Sequence, residues 1–332
     1  MKRYRKKICL LFAGGTKLSH SSGKGFEVKK TDDIKPWLMH FEELNIMADI
    51  ESVFIFGGKS ENVTVDQWIK LIDEIKKRIN SSDGFVVLQG PQTMNYTACA
   101  LTFAFQNLNK PIILTGSPFT PQTKSQQADP LEEYKGLGIK ANLLNAIQVA
   151  LSDINQVAIL FGSRLISGVQ AVQATPPGLN FFDSFSGHFL GRVDFGISLF
   201  GKTKKSKAKM KFSNGFDNKV SILDWHPGVD VSLIQNLKKQ KIHGLIIRMH
   251  HQTVLPDSFL PALRKLAKDS IPVIIYQSGQ EQKFLKGANI IMIENMSLSA
   301  VLVKLMWVLA QTKSLSKIKS LMARNLSGEI VK

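Results

Sequence analysis

The stretch Gly84-Phe-Val-Val-Leu-Gln-Gly-Pro-Gln-Thr-Met-Asn-Tyr-Thr-Ala98 reads as a short strand, a tight turn and the start of a helix. From Phe85 to Leu88 every side chain is apolar, the pattern of a strand covered on both faces rather than one with a wet side. Pro91 has no backbone N–H and a fixed φ, so the strand cannot continue past Gly90-Pro91. A strand that feeds a helix through one turn is half of a βαβ unit.

The same grammar runs outward in both directions. Ile8 to Ala13, Ser52 to Phe56, Pro111 to Thr115 and Gln156 to Phe161 are further short apolar runs, and helical spacing fills Val65 to Ile79, Tyr96 to Gln106 and Ala141 to Leu151. Strands alternating with helices predict a mostly parallel sheet covered by helices on both faces. A second, smaller alternation follows, with strands near Val220 to Leu223, Gly244 to Arg248, Val273 to Tyr276 and Ile290 to Ile293 and a last long helix near Ser299 to Gln311. Between them stand Lys202, Lys204, Lys205, Lys207, Lys209 and Lys211, then Ser213-Asn214-Gly215, a composition typical of a solvated linker. The expected fold class is therefore α/β. Residues 1–200 form a larger N-terminal domain, 201–219 a lysine-rich linker and 220–332 a smaller C-terminal α/β domain. In such sheets ligands bind beyond the carboxyl ends of the strands, which directs attention to the turns after each one.

Composition narrows the function classes. With 44% apolar and 21% charged residues in 332, the chain can bury one large core or two smaller ones, and disorder is excluded as its main state. The longest apolar runs, such as Ile271 to Tyr276, are too short to span a bilayer. Met1 to Lys7 followed by Ile8 to Ala13 imitates a secretory signal, but the apolar part is too short and Gly14-Gly15-Thr16 continues as a turn, so a first strand and a cytoplasmic protein are expected. Cys9 and Cys99 sit in apolar runs and imply no disulfide framework. The net charge of +17 invites a nucleic-acid or acidic partner, although eight of the 43 basic residues are arginine and phosphate readers lean on arginine. His250 and His251 are adjacent, point apart on a strand and have no Cys, Asp or Glu at metal-ligand spacing beside them, and His20, His188, His226 and His243 stand isolated, so no metal is expected.

Several stretches at strand ends, taken in order, resemble the L-asparaginase family of amidohydrolases, closest to its cytoplasmic type I members. They are Gly14-Gly15-Thr16, Ser60 with Asn62, Thr64 and Trp68, the Gly84 to Ala98 block, and Lys110-Pro-Ile-Ile-Leu-Thr-Gly-Ser117. Further along come Asn142 to Ala150, Phe182-Asp183-Ser184, Leu190-Gly-Arg-Val193, Pro227-Gly228 and Lys304-Leu-Met-Trp307. The resemblance implies two α/β domains, a homodimer or homotetramer with sites at the subunit boundary, and hydrolysis of a side-chain amide by threonine with neither metal nor cofactor. It makes Thr16 the nucleophile position and Ser60 the residue that holds a substrate carboxylate.

The resemblance breaks at the chemistry. Pro91 replaces the family's second threonine, Gln92 the aspartate beside it, and Gln173 the lysine that pairs with that aspartate. Arg248 stands where the family has a glutamate, and Met249 to Val254 replaces its Gly-x-Gly-Asn turn. The reading that follows is an asparaginase-like protein whose hydrolysis is lost or strongly reduced, kept as a ligand-binding or regulatory homologue of some small amide or amino acid. One alternative is a rewired amidohydrolase using Thr16 alone. Another is a basic scaffold subunit that binds RNA, a ribonucleoprotein or an acidic protein through Lys202 to Lys211. Gln92 and Gln173 are expected to hydrogen-bond to each other, amide to amide, beneath Thr16.

Overall fold

The computed structural model describes residues 5–14, 17–19, 25–39, 41–117, 132–175, 180–193, 196–201, 205–250, 254–277 and 290–331. It divides into two compact units, Met1–Asn214 and Gly215–Lys332.

The larger unit is built on an eight-stranded sheet. Five strands run parallel in the spatial order Asp49–Phe56, Lys7–Ala13, Gly84–Leu88, Ile112–Thr115 and Val157–Phe161. Arg164–Ser167, Gly191–Val193 and Ile197–Leu199 then extend the sheet antiparallel. Along the first strand Ile8, Leu10 and Phe12 share a core with Leu143, Ala146 and Ile147 of the Glu132–Ala150 helix and with Trp37 and Phe41. The alternate residues Cys9 and Leu11 are equally buried, so the opposite face is covered too, and the Val65–Arg78 helix packs against that strand. This is the double cover that all-apolar strands require. The sheet is mostly parallel, as expected; its antiparallel flank is the addition.

Local chemistry explains the element ends. Thr64 caps the Val65–Arg78 helix in a capping box with Gln67, and the last turn carries Lys76, Lys77 and Arg78, which complement the helix dipole. Arg78 also reaches Glu51 at 2.8 Å, and Glu51 meets Lys7 at 2.9 Å, tying the helix end to two strands. Part of the expected linker belongs to this unit. Lys211–Phe212 pairs with Phe105–Gln106, and Ser206 N donates to Asn109 Oδ1 at 2.7 Å. The side chains of Lys205, Lys207, Lys209 and Lys211 remain exposed.

The smaller unit holds a four-stranded parallel sheet in the order Val220–Asp224, Gly244–Arg248, Val273–Tyr276 and Ile290–Ile293. Three helices accompany it at Ser232–Lys239, Leu260–Lys268 and Leu298–Gln311, and a fourth, Leu315–Ala323, was not foreseen in the sequence. Ser297 caps the third helix by accepting from Ala300 N. Inside that helix Lys304 is 0% exposed. Its ammonium donates to Glu329 Oε1 at 2.6 Å, Arg324 O at 2.6 Å and Met322 O at 3.0 Å. Glu329 in turn accepts from Leu326 N and Ser327 N, so the buried pair is fully hydrogen-bonded, the condition under which such a pair is tolerated. Among the described residues, no helix is long and apolar enough to cross a membrane.

Candidate functional site

Three parallel strands of the larger unit deliver their carboxyl ends to one place. Gly14 ends the first strand with φ near +76°, its N–H donating to Phe56 O at 3.0 Å and its carbonyl accepting from Gly90 N at 3.1 Å. Gly116 follows the Ile112–Thr115 strand, and a Cβ there would lie 2.1 Å from the Gln89 carbonyl oxygen, so only glycine fits. Asn142 Nδ2 donates to Gly116 O at 2.8 Å while its Oδ1 accepts from Gly162 N, joining the turns after two neighbouring strands.

Ser60 and Gln92 meet in this cluster. Ser60 opens the 3-10 turn Ser60–Asn62 and is 2% exposed. Its hydroxyl donates to Gln92 Oε1. Gly90 makes the approach possible, since a Cβ there would fall 2.4 Å from Ser60 Oγ. Pro91 is buried at the head of the turn Pro91–Thr93 and holds Gly90 extended, as a residue before proline prefers. Thr93, which the sequence motifs do not single out, is the hub. Its hydroxyl donates to Ser60 O at 2.6 Å and accepts from Gln89 Nε2 at 3.1 Å. The only sequence sign was a hydroxyl two residues beyond Pro91, a sign too common to use.

Gln173 ends the Ala171–Gln173 strand, which pairs with Phe182–Ser184. Its side chain does reach Gln92, but not as expected. Gln173 Nε2 donates to the main-chain carbonyl of Gln92 at 2.8 Å, because the Gln92 amide oxygen is already turned to Ser60. Both glutamines are exposed, not enclosed. Thr16, the expected nucleophile position, lies outside the described residues.

The side chains that join this cluster are neutral. Lys59 and Glu61, which flank Ser60 in sequence, face each other 3.9 Å apart at the surface. Among the described residues, Gln89 Oε1, Asn95 Oδ1 and Thr115 Oγ1 are buried without a hydrogen-bond partner, a costly arrangement for polar atoms. Among the described residues no group of His, Cys, Asp and Glu could hold a metal ion; His250 is exposed, and His251 lies outside them. Both cysteines are buried, and burial pushes the Cys9 thiol up to about 12. In the smaller unit Arg248, the charge-reversed position, forms a two-pronged pair with Asp224. Beside it burial raises Tyr276 to about 12, and the phenol donates to Met296 O at 3.0 Å.

A mostly parallel sheet with a neutral polar cluster at its strand ends, followed by a second parallel α/β unit, defines a two-unit α/β protein. Residues 7–205 match the family described as asparaginase, N-terminal, and residues 219–322 match the glutaminase/asparaginase C-terminal domain. The chain belongs to the asparaginase family. Among curated relatives, the D subunit of glutamyl-tRNA(Gln) amidotransferase from Sulfolobus acidocaldarius is 27% identical across 97% of this chain and 75% of its own length. Its counterpart from Saccharolobus islandicus is 27% identical across 98% and 76%. Among solved structures, L-asparaginase I from Vibrio cholerae superposes with a TM-score of 0.83 at 25% identity, covering 99% of this chain and all of that one. The thermostable L-asparaginase from Thermococcus kodakarensis shares the fold, with a TM-score of 0.81 at 22% identity over 98% and 99%.

Proposed function

We propose that this chain is an asparaginase-family protein in which ordinary asparagine or glutamine hydrolysis is lost or strongly reduced, and that it serves as a ligand-binding or regulatory homologue. One observation carries the reading. The hydroxyl of Ser60, assigned by family resemblance to a substrate carboxylate, donates instead to Gln92, which occupies the family's aspartate position. Pro91 at the second threonine position brings neither hydroxyl nor N–H, and Gln173 brings no charge. Losing single members of a catalytic group costs several orders of magnitude in rate, and three positions differ here. The cluster that remains suits a neutral amide or amino-acid ligand. In this reading the protein is cytoplasmic and forms a homodimer or homotetramer, with Thr16 at the family's nucleophile position and Ser60 at its substrate-binding one.

The test is ammonia release from asparagine and glutamine by purified protein beside a Thr16→Ala control. Release at background supports the reading. Turnover of roughly 1 to 10³ per second, abolished by Thr16→Ala, overturns it in favour of a rewired threonine amidohydrolase.

A second reading is favoured by the named relatives together with the net charge of +17. Here the chain is a basic component of a complex that handles transfer RNA. Binding of a labelled transfer RNA that weakens steeply and log-linearly with salt supports it, and salt-independent or absent binding rejects it.

A further inference from the structure

A cavity of about 530 Å³ lies on the smaller unit between the Ser232–Lys239 and Leu260–Lys268 helices. Its floor is apolar, made by Val231, Ile234, Ala262 and Leu266. Its rim carries Lys238, Lys239 and Lys265. Gln235, Ser258 and Pro261 complete the lining and are exposed, so the groove opens to solvent along one side.

The two helices carry charge of one sign, while Asp230, Asp257 and Asp269 stand just outside them. The two helices bear Lys238, Lys239, Arg264, Lys265 and Lys268, with no aspartate or glutamate in either. Lys238 is held by Asp269. Among the described residues Lys239 and Lys265 have no ion-pair partner. Asp230 is engaged at the start of the first helix, where its Oδ1 accepts from Ser232 N at 2.7 Å.

We infer that this groove receives an acidic amphipathic helix from a partner protein. Its apolar stripe lies against Val231, Pro261 and Ala262, with Ile234 and Leu266 each 1% exposed at the floor, and its flanking carboxylates meet Lys239 and Lys265. An apolar floor between basic rims is complementary to that partner in both shape and charge. RNA is a poorer match, because the lining holds neither an aromatic ring nor an arginine plane on which a base could stack. The inference is independent of whether the strand-end cluster hydrolyses amides.

The experiment uses the full chain and a fluorescein-labelled peptide of about 16 residues, four to five helical turns, with leucines at the stripe positions and glutamates between them. The controls are the same residues in scrambled order and a peptide with lysine for every glutamate. Fluorescence anisotropy should show the patterned acidic peptide binding, with affinity falling about tenfold for the scrambled peptide and for Lys239→Glu/Lys265→Glu. The lysine peptide should not bind. Melting curves check that the double variant is folded; if it is not, Lys239→Gln/Lys265→Gln replaces it with the same expected loss. The inference is overturned if patterned and scrambled peptides bind alike, if the patterned peptide binds more weakly than about 1 mM, or if the lysine changes weaken transfer RNA binding and leave the peptide's unchanged.

Discussion

Gln173 donates its side-chain amide to the main-chain carbonyl of Gln92, while the Gln92 side chain faces the other way and accepts the Ser60 hydroxyl. The two glutamines therefore do not form the closed amide pair that neutral replacement of an ion pair suggests. They form a relay that runs through the backbone of the Pro91–Thr93 turn. A relay of this kind fixes the turn without any charge, so restoring one charge should restore nothing. Gln92→Asp alone is expected to leave ammonia release from asparagine at background, and measurable turnover by that single variant would refute the proposed loss.

Thr93 carries more of the local structure than Ser60 does. In Ser60→Ala the exposed Gln92 amide can turn to water, so the expected cost is about 0.5–1.5 kcal/mol. Thr93→Val removes the acceptor of Gln89 Nε2 inside a residue with no exposure, and leaving such a donor unpaired costs about 1–3 kcal/mol. Urea unfolding of the two variants should rank them in that order.

Gly116 admits no side chain. A Cβ within 2.1 Å of the Gln89 carbonyl forces backbone to move against backbone, so Gly116→Ala should lower stability by about 3 kcal/mol. A melting temperature equal to the parent's would show that the strand ends are looser than described.

Lys304→Met should be among the most damaging single changes in the smaller unit. It strands Glu329 with its charge buried, at a cost of about 3–5 kcal/mol, whereas Lys304→Met/Glu329→Gln removes both charges and should recover part of the loss. Thermal melting of the two variants gives the comparison directly.

Acid should unfold the protein through a small set of carboxylates. Hydrogen bonds from Lys7 and Arg78 hold Glu51 below its ordinary value of 4.5, and the bond from Lys77 does the same for Glu74. Burial works against Asp217, but Lys313 and His243 outweigh it and hold that carboxyl below 3.8. A depressed folded pKa means that the unfolded chain binds more protons in this range. The stability contributed is present above the ordinary values and is lost as pH falls below them through the folded ones. The urea midpoint should therefore be flat with respect to these groups near neutrality and fall below about pH 4.5. Asp217→Asn should make the fall shallower.

Much of the fold was legible because its signals are local. Gly84 to Leu88, Gly244 to Arg248, Val273 to Tyr276 and Ile290 to Ile293 read from sequence with the bounds they have in the structure, since each is a compact apolar run. The antiparallel flank did not. Arg164–Ser167, Gly191–Val193 and Ile197–Leu199 are three or four residues long and mix polar with apolar side chains, so their pairing depends on neighbours already placed. Ser60, Gln92 and Gln173 stand out as residues and the approach of Gln173 to Gln92 was expected, but the atoms through which they meet and the Ser60 contact were not. Which way a glutamine side chain turns is decided by acceptors brought together across 32 and 81 positions of sequence. The Lys205 to Lys211 run looked like a free tether because lysines at its alternate positions do face water. Its backbone and Ser206 bind Asn107 and Asn109 instead.

The Lys304 clasp bears on how the smaller unit is made. The ammonium sits in the middle of a helix whose other central residues are apolar, and its carboxylate partner comes 25 residues later. On a ribosome the helix emerges first, so for that interval the nascent unit carries a lysine that cannot be enclosed at low cost. The final enclosure of Lys304 therefore depends on a residue made 25 positions after it.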